Sequence, residues 1–418
     1  MRAMFIGIDD TDSRERYCTT YIGTLLMEEL EKRYKMDTPK LIRMNPMVKY
    51  KTRGNGGISL RVLEENLKDR DIDYIKKTVL KYVEKYSDLE DENTNPGVVF
   101  LMEKDYKKNR ELLKKYYKKV LYDIVDLDYA KEMVEKVGGE YVCYKKGYGI
   151  IGALGSIASS GPYTYELLTY RKKENWGKKR IIDDKSVVEM DRKTFPYTFN
   201  NVDGDKQIIA PNTKCPVLYG IRGVNKEILL EAMKMVKCEE KIDRYMIFKT
   251  NQGTDAHLRP MKIKDIYPNT GVIVHGVVTE DPKSIRGGAV IFKVCDNTGE
   301  ISCVAYEPTK GFRDIVRKLK KGDMVGVYGT VREKPFGINL EKLKIVKLAK
   351  VYMKDKKCSC GGTLKSKGVK SGYVCNRCKK RVNYNSIKLI EVKRDISEGF
   401  YEVPPSARRH LSKPLLLF

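Results

Sequence analysis

Residues 6–20 read IGIDDTDSRERYCTT. The apolar residues Met4, Phe5, Ile6 and Ile8 end abruptly in three carboxylates, Asp9, Asp10 and Asp12, and an apolar-periodic segment begins at Cys18, Thr19 and Thr20. That order predicts a strand, an acidic turn and a helix start. Ile22, Leu25, Leu26 and Leu30 share one face of the helix, which the spacing carries to about Tyr34, ahead of Pro39. Three carboxylates within four positions repel one another unless a cation holds them, and hard oxygen ligands beside a phosphate suit Mg²⁺. The same acids can instead form an Asx turn supporting the helix N-terminus. Thr19 and Thr20 serve either as caps or as hydroxyls where amides and dipole favour a phosphate, one of which could accept it covalently. Cys18 is the rival nucleophile.

Outward from this stretch, residues 41–63 predict an extended piece, a basic loop (KTRGNGG) and a second strand. Gly54, Gly56 and Gly57 let that loop turn sharply or approach a ligand. Residues 64–128 hold two Lys- and Tyr-rich helical segments around a buried strand at 96–102, read as an inserted or supporting subdomain. In YKKGYGIIGALGSIASSG the glycines 147, 149, 152 and 155 suit either a helix packed tightly in the core or amides facing a phosphate, without the ending of a Walker loop. NNVDGDKQ is a turn carrying Asp203 and Asp205, CPVLYGIRG a buried strand ending in Arg222, and the strand at 244–249 meets a polar tract, TNQGTDAHL (250–258), unusually rich in hydrogen-bonding groups.

From residue 271 the pattern changes to five short strands, with a helix before the last two, which fits an oligonucleotide-binding (OB) barrel. Cys358 and Cys360 are separated from Cys375 and Cys378 by 14 residues; two close thiolate pairs on Gly-rich turns make a closed structural zinc site. Around them lie Lys367, Lys370, Arg377, Lys379, Lys380 and Arg381 with Tyr373 interleaved, a surface suited to backbone phosphates, joined by Arg408 and Arg409 of the tail.

Composition agrees. The 418 residues carry 82 Lys and Arg against 56 Asp and Glu, a net charge of +26, and residues 348–418 alone carry 17 against 5. A thermophile-type surface gains Lys and Glu together, whereas an excess this concentrated points to nucleic acid. The six other cysteines stand alone, which argues against a disulfide framework, and three histidines leave little room for chemistry built on several imidazoles. With no apolar run of about 18 residues and no secretory leader, the expected location is cytoplasmic, away from membranes.

GIDDTDS with CTTY, KTRGNGG, GIIGALGSIA, TNQGTDAHL, the barrel, the CxC and CxxC ribbon and PPSARRHLSKPL occur in order along nearly the whole chain. Together they resemble the archaeal tRNA(Ile) 2-agmatinylcytidine (agmatidine) synthetases. The resemblance implies a multidomain α+β protein: a kinase-like α/β N-terminal domain (1–195, with a possible insertion at about 62–125), a ferredoxin-like α/β domain (196–266), an OB-fold β-barrel (267–347) and a zinc ribbon with tail (348–418). It implies an ATP-dependent ligase that phosphorylates the C2 oxygen of the wobble cytidine of tRNA(Ile) with a CAU anticodon and replaces it with agmatine, releasing AMP and diphosphate. By motif, Asp9, Asp10 and Asp12 would hold Mg²⁺ and ATP phosphates, and Thr19 would be the phosphorylated threonine. Lys51, Arg53, Asn55, Gly56, Gly149, Gly152 and Gly155 would seat ATP. Dicationic agmatine needs carboxylates, for which Asp203, Asp205 and Asp255 are candidates, with Asn251, Gln252 and His257 as further substrate contacts. The alternatives are a non-catalytic OB-fold and ribbon protein, or a synthetase for another amine.

Overall fold

The computed structural model describes residues 3–49, 51, 54–64, 66–368 and 371–417. The opening stretch forms β1 (Met4–Asp9) and α1 (Thr19–Leu30), with the acidic turn between them. β1 lies at the middle of a first lobe, antiparallel to β3 (Gly56–Val62) on one side and β4 (Gly97–Met102) on the other. Beyond these lie β2 (Lys40–Arg43) and β5 (Glu140–Cys143). Strand alternation divides the side chains of β1 between two cores. Met4, Ile6 and Ile8 pack with Ile22 and Leu26 of α1 and with Ile75 and Val79 of α2 (Asp69–Tyr86). Phe5 packs on the other face, where α4 (Arg110–Tyr122), α5 (Leu127–Lys136) and α6 (Gly149–Ala158) cover the sheet, α3 (Glu103–Lys108) leading from β4 into α4. The segment 62–125, read from sequence as a possible insertion, thus supplies β4, the interior strand beside β1.

The second lobe runs β6 (Thr164–Arg171), α7 (Asp184–Thr194), β7 (Thr198–Phe199), a small hairpin β8 (Val202–Asp203) and β9 (Lys206–Gln207), β10 (Val217–Gly223), α8 (Lys226–Met235) and β11 (Ile242–Thr250). Its strand order is β11-β6-β10-β7, antiparallel throughout, which is the βαββαβ ferredoxin-like arrangement. A short parallel pairing of β2 with β11, Lys40 opposite Lys249 and Leu41 opposite Thr250, joins the two lobes into one nine-stranded sheet. The sequence division at 195 separates β6 from both of its partners; in the structure β6 begins the second lobe and the seam runs between β2 and β11.

β13 (Gly271–Ser284), β14 (Val290–Cys295), β15 (Glu300–Ala305), β17 (Gly337–Lys347) and β16 (Met324–Arg332) pair in that order and close through β13 with β16, with β12 (Leu258–Pro260) alongside β13 and α9 (Phe312–Arg317) between β15 and β16. Val272, Val274, Phe292 and Val327 fill this OB barrel. The ribbon's core is small: Cys358, Leu364, Tyr373, Cys375 and Ile387. After it, Gly399–Glu402 pairs with β17 and the tail turns back toward the lobes. Among the described residues no helix is long and apolar enough to cross a membrane.

Candidate active site

β1 and α1 deliver the acidic turn and the two threonines to one cavity of about 850 Å³ at the seam between the lobes. Asp10 takes φ 59°, a left-handed conformation that aspartate tolerates, and its amide donates to Asp9 Oδ1 at 2.7 Å. The loop after α2 clamps the turn. The Asn95 amide donates to Asp10 Oδ2 (3.1 Å), Thr94 Oγ1 to the Asp12 carbonyl (2.8 Å) and the Asp88 amide to the Thr11 carbonyl (3.1 Å). Enclosure in the cleft, then the neighbouring charges of Asp10 and Asp12, push the Asp9 carboxyl well above the usual carboxylate range, although the Asp10 amide opposes them. A carboxylate destabilised by its own neighbours is a group a divalent cation would relieve, so these residues fit Mg²⁺.

α1 starts at Thr19 with no side-chain cap and no acid in its first turn, so its end faces the cavity with positive polarity. Thr19 and Thr20 both line the cavity and are both nearly buried. Their hydroxyls differ: Thr20 Oγ1 lies 3.1 Å from Cys18 Sγ, whereas Thr19 Oγ1 accepts from Thr11 Oγ1 at 3.0 Å.

Of the residues assigned to ATP, Lys51, Asn55, Gly56 and Gly152 line the cavity, and Arg53 lies outside the described residues. Gly149 and Gly155 do not face it. A Cβ on Gly149 would stand 2.4 Å from the Asp9 carbonyl oxygen, and one on Gly155 2.9 Å from Met44 Cε, so these glycines let α6 lie directly on its neighbours. Gly152 does both, for a Cβ there would stand 1.8 Å from Asp9 Oδ2.

The residues assigned to the amine are placed elsewhere. Asp203 pairs with Lys310 (2.6 Å), Asp205 is exposed beside it, and Asp255 pairs with buried Lys342 (2.6 Å). His257 lies 3.0 Å from Glu341 of the barrel. Asn251 and Gln252 support the cavity from behind. The Asn251 amide group bridges the backbone N–H and C=O of Arg43, each at 2.8 Å, and Gln252 Nε2 donates to Glu166 Oε2 at 2.5 Å. The carboxylates that do line the wall beyond the aspartate triad include Asp123, Asp126 and Glu166. Arg43, Glu166, Arg222 and His410 complete the site; only Arg222, at the end of a buried strand, had stood out in the sequence.

In the ribbon the four cysteine sulfurs lie within 4.8 Å of one another, with Cys358 to Cys378 at 3.7 Å and Cys360 to Cys375 at 3.5 Å. Four ligands at the zinc–sulfur bond length sit about 3.8 Å apart in a tetrahedron, so the donor set fits Zn²⁺. The amides of Cys378 and Arg377 hold the Cys375 thiol down to about 6, against its desolvation. Lys367, Arg377, Lys379, Lys380 and Arg381 are exposed, and Lys370 lies outside the described residues. Tyr373 is instead 4% exposed and stacked on Tyr384 in the ribbon core. Arg408 and Arg409 are also engaged internally, with Glu402 and with Glu341 (3.2 Å).

An acid-lined cleft facing an open helix end with two threonines, attached to an OB barrel and a four-cysteine ribbon, is the build of a phosphate-handling enzyme that works on nucleic acid. Four family models match in order: the TiaS TCKD domain over residues 5–146, the TiaS FLD domain over 147–257, an OB-fold nucleic acid binding domain over 272–348 and the TiaS C-terminal zinc ribbon domain over 355–396. The chain belongs to the family of TiaS, the 2-agmatinylcytidine synthetases of isoleucine tRNA. The synthetase of that name from Methanocaldococcus jannaschii is 66% identical over 421 residues, covering 100% of this chain and 99% of the relative. A crystal structure of TiaS in complex with an isoleucine tRNA and ATP is similar with TM-score 0.90 and 40% identity, and one of TiaS with an isoleucine tRNA, AMPCPP and agmatine with TM-score 0.86 and 37% identity, each covering 100% of this chain and 98% of the other.

Proposed function

We infer that this protein is the ATP-dependent ligase of cytoplasmic tRNA(Ile) modification, which activates the C2 oxygen of the wobble cytidine at the expense of ATP and replaces it with agmatine, the oxygen leaving with the phosphate that activated it. The observation that carries the reading is the full-length likeness to a TiaS complex containing an isoleucine tRNA, an ATP analogue and agmatine. The need for ATP is chemical: an amide-type oxygen is a poor leaving group, and phosphorylation makes it a good one.

Asp9, Asp10 and Asp12 would hold Mg²⁺, which when bound neutralises phosphate charge. The uncapped end of α1 supplies amides and positive polarity to the same phosphates. Thr19 is the hydroxyl that accepts a phosphoryl group: it stands first at the uncapped end of α1, where it accepts from Thr11, while Thr20 is engaged by Cys18 and Tyr170. Lys51, Asn55, Gly56 and Gly152 border the nucleotide, and the cavity-wall carboxylates Asp123 and Asp126 take the place of Asp203, Asp205 and Asp255 as partners for the cationic amine, Glu166 being held by Arg222 and Gln252. The target cytidine must leave its stack to reach this cleft, while barrel and ribbon hold the rest of the tRNA through their basic surfaces. ATP consumption measured with tRNA alone, with agmatine alone and with both tests the reading. Turnover that requires both supports it, and a protein that binds tRNA without consuming ATP under any condition overturns it.

A further inference from the structure

The polar tract 250–258 and the tail motif PPSARRHLSKPL find each other in the fold. The amide of Gly253 donates to the His410 carbonyl (2.9 Å), the amides of Thr254 and Asp255 to the Leu411 carbonyl (3.2 and 2.8 Å), and the Lys413 amide to Asp255 Oδ1 (2.7 Å). Leu411, 2% exposed, is packed into the core beside α6. From this anchored segment the His410 ring enters the cavity, where Arg222 Nη2 donates to its Nδ1 at 3.0 Å. Arg222 Nε is already bonded to Glu166 at 2.9 Å. Those two bonds occupy one edge of the guanidinium, and among the described residues its Nη1 end has no protein partner.

We propose that the C-terminal segment is a working part of the catalytic cleft, and that His410 is a positioning residue which, with Glu166, fixes Arg222 so that its free edge meets a phosphate-class anion of the bound nucleotide. Because Arg222 always donates, Nδ1 must accept, and the single proton of the neutral ring sits on Nε2. Enclosure and then the charges of Arg43, Arg222 and Lys51 favour that neutral ring by lowering the His410 pKa well below its ordinary value. The proposal rests on the nucleotide-dependent reading of the cleft.

The test compares the wild-type enzyme with His410→Ala, His410→Asn, Arg222→Ala and the His410→Ala/Arg222→Ala double variant, measuring kcat/KM for ATP, tRNA affinity and melting. Asparagine can offer an oxygen where Nδ1 stood. His410→Ala should lose about 10- to 100-fold in kcat/KM, the range for one hydrogen bond to a charged group, with melting and tRNA affinity unchanged. His410→Asn should recover most of that loss, and the double variant should be no worse than Arg222→Ala. Wild-type kinetics in His410→Ala, no rescue by asparagine, or additive losses in the double variant would overturn the proposal. A wild-type enzyme that never consumes ATP refutes the underlying reading instead.

Discussion

Replacing Gly152 by alanine separates the positioning of the acidic site from the stability of the fold. The added Cβ would lie 1.8 Å from Asp9 Oδ2 and 2.8 Å from Asp9 Cγ, so the carboxylate must retreat by roughly 1.7 Å to reach an ordinary contact of about 3.5 Å. Misplacing a catalytic group by about 1 Å can cost on the order of 10²-fold in rate, so Gly152→Ala should lose at least about that in turnover. Its stability should fall by no more than about 2.5 kcal/mol. Alanine gains about 0.5–1 kcal/mol over glycine inside a helix, against about 1–3 kcal/mol for overpacking a site whose obstacle is the end of a side chain. Gly149→Ala is the control, since its Cβ would stand 2.3 Å from the Gly97 nitrogen and 2.4 Å from the Asp9 carbonyl oxygen, both backbone atoms that cannot swing aside. It should cost about 3 kcal/mol or more. Modified nucleoside formed per minute, with a melting curve for each variant, reads both effects. A Gly152→Ala protein that melts normally and turns over at the wild-type rate would refute the placement of Asp9 at the centre of the chemistry.

Thr19→Ala should abolish both modified-nucleoside formation and protein labelling from γ-labelled ATP while tRNA binding persists; Thr20→Ala should retain labelling. Glu341 is buried, and against that desolvation His257, Arg409 and Lys342 hold its carboxyl down to about 2. A carboxylate depressed in the folded state stabilises above its unfolded value and loses that contribution as pH falls through the folded one. Stability should therefore drop by up to about 3 kcal/mol between about pH 4.5 and 2, and Glu341→Gln should lack that acid limb in pH-dependent melting. Cys375→Ser should release zinc, unfold the ribbon and weaken tRNA binding while the nine-stranded sheet melts as before, because the ribbon's core is its own small cluster.

The opening stretch was legible because its signal is local: alternation in β1, three acids, then hydroxyls at a helix start. The four cysteines were legible for the same reason. What sequence could not provide was the meeting of distant segments. Glu166 and His410 carry no local mark, and they become site residues only because β6 lies at the seam and the tail returns across β17 to the lobes. The richness of residues 250–258 in hydrogen-bonding groups was visible, but the partner they serve is residues 410–413. Asp203 and Asp255 looked like free acids because Lys310 and Lys342, their counter-ions, come from the barrel and its neighbourhood. Tyr373, spaced among lysines, looked exposed, yet a ribbon with so few apolar residues needs it inside.

A cleft that uses ATP to place agmatine on the wobble cytidine must leave a defined product on the tRNA. Mass spectrometry of the nucleosides of tRNA(Ile) with a CAU anticodon, after incubation with the protein, ATP, Mg²⁺ and a panel of amines including agmatine and lysine, tests it most directly. 2-Agmatinylcytidine should appear at the wobble position, dependent on ATP and absent with the other amines. An unmodified cytidine in every reaction, or an equal yield with lysine, would contradict it.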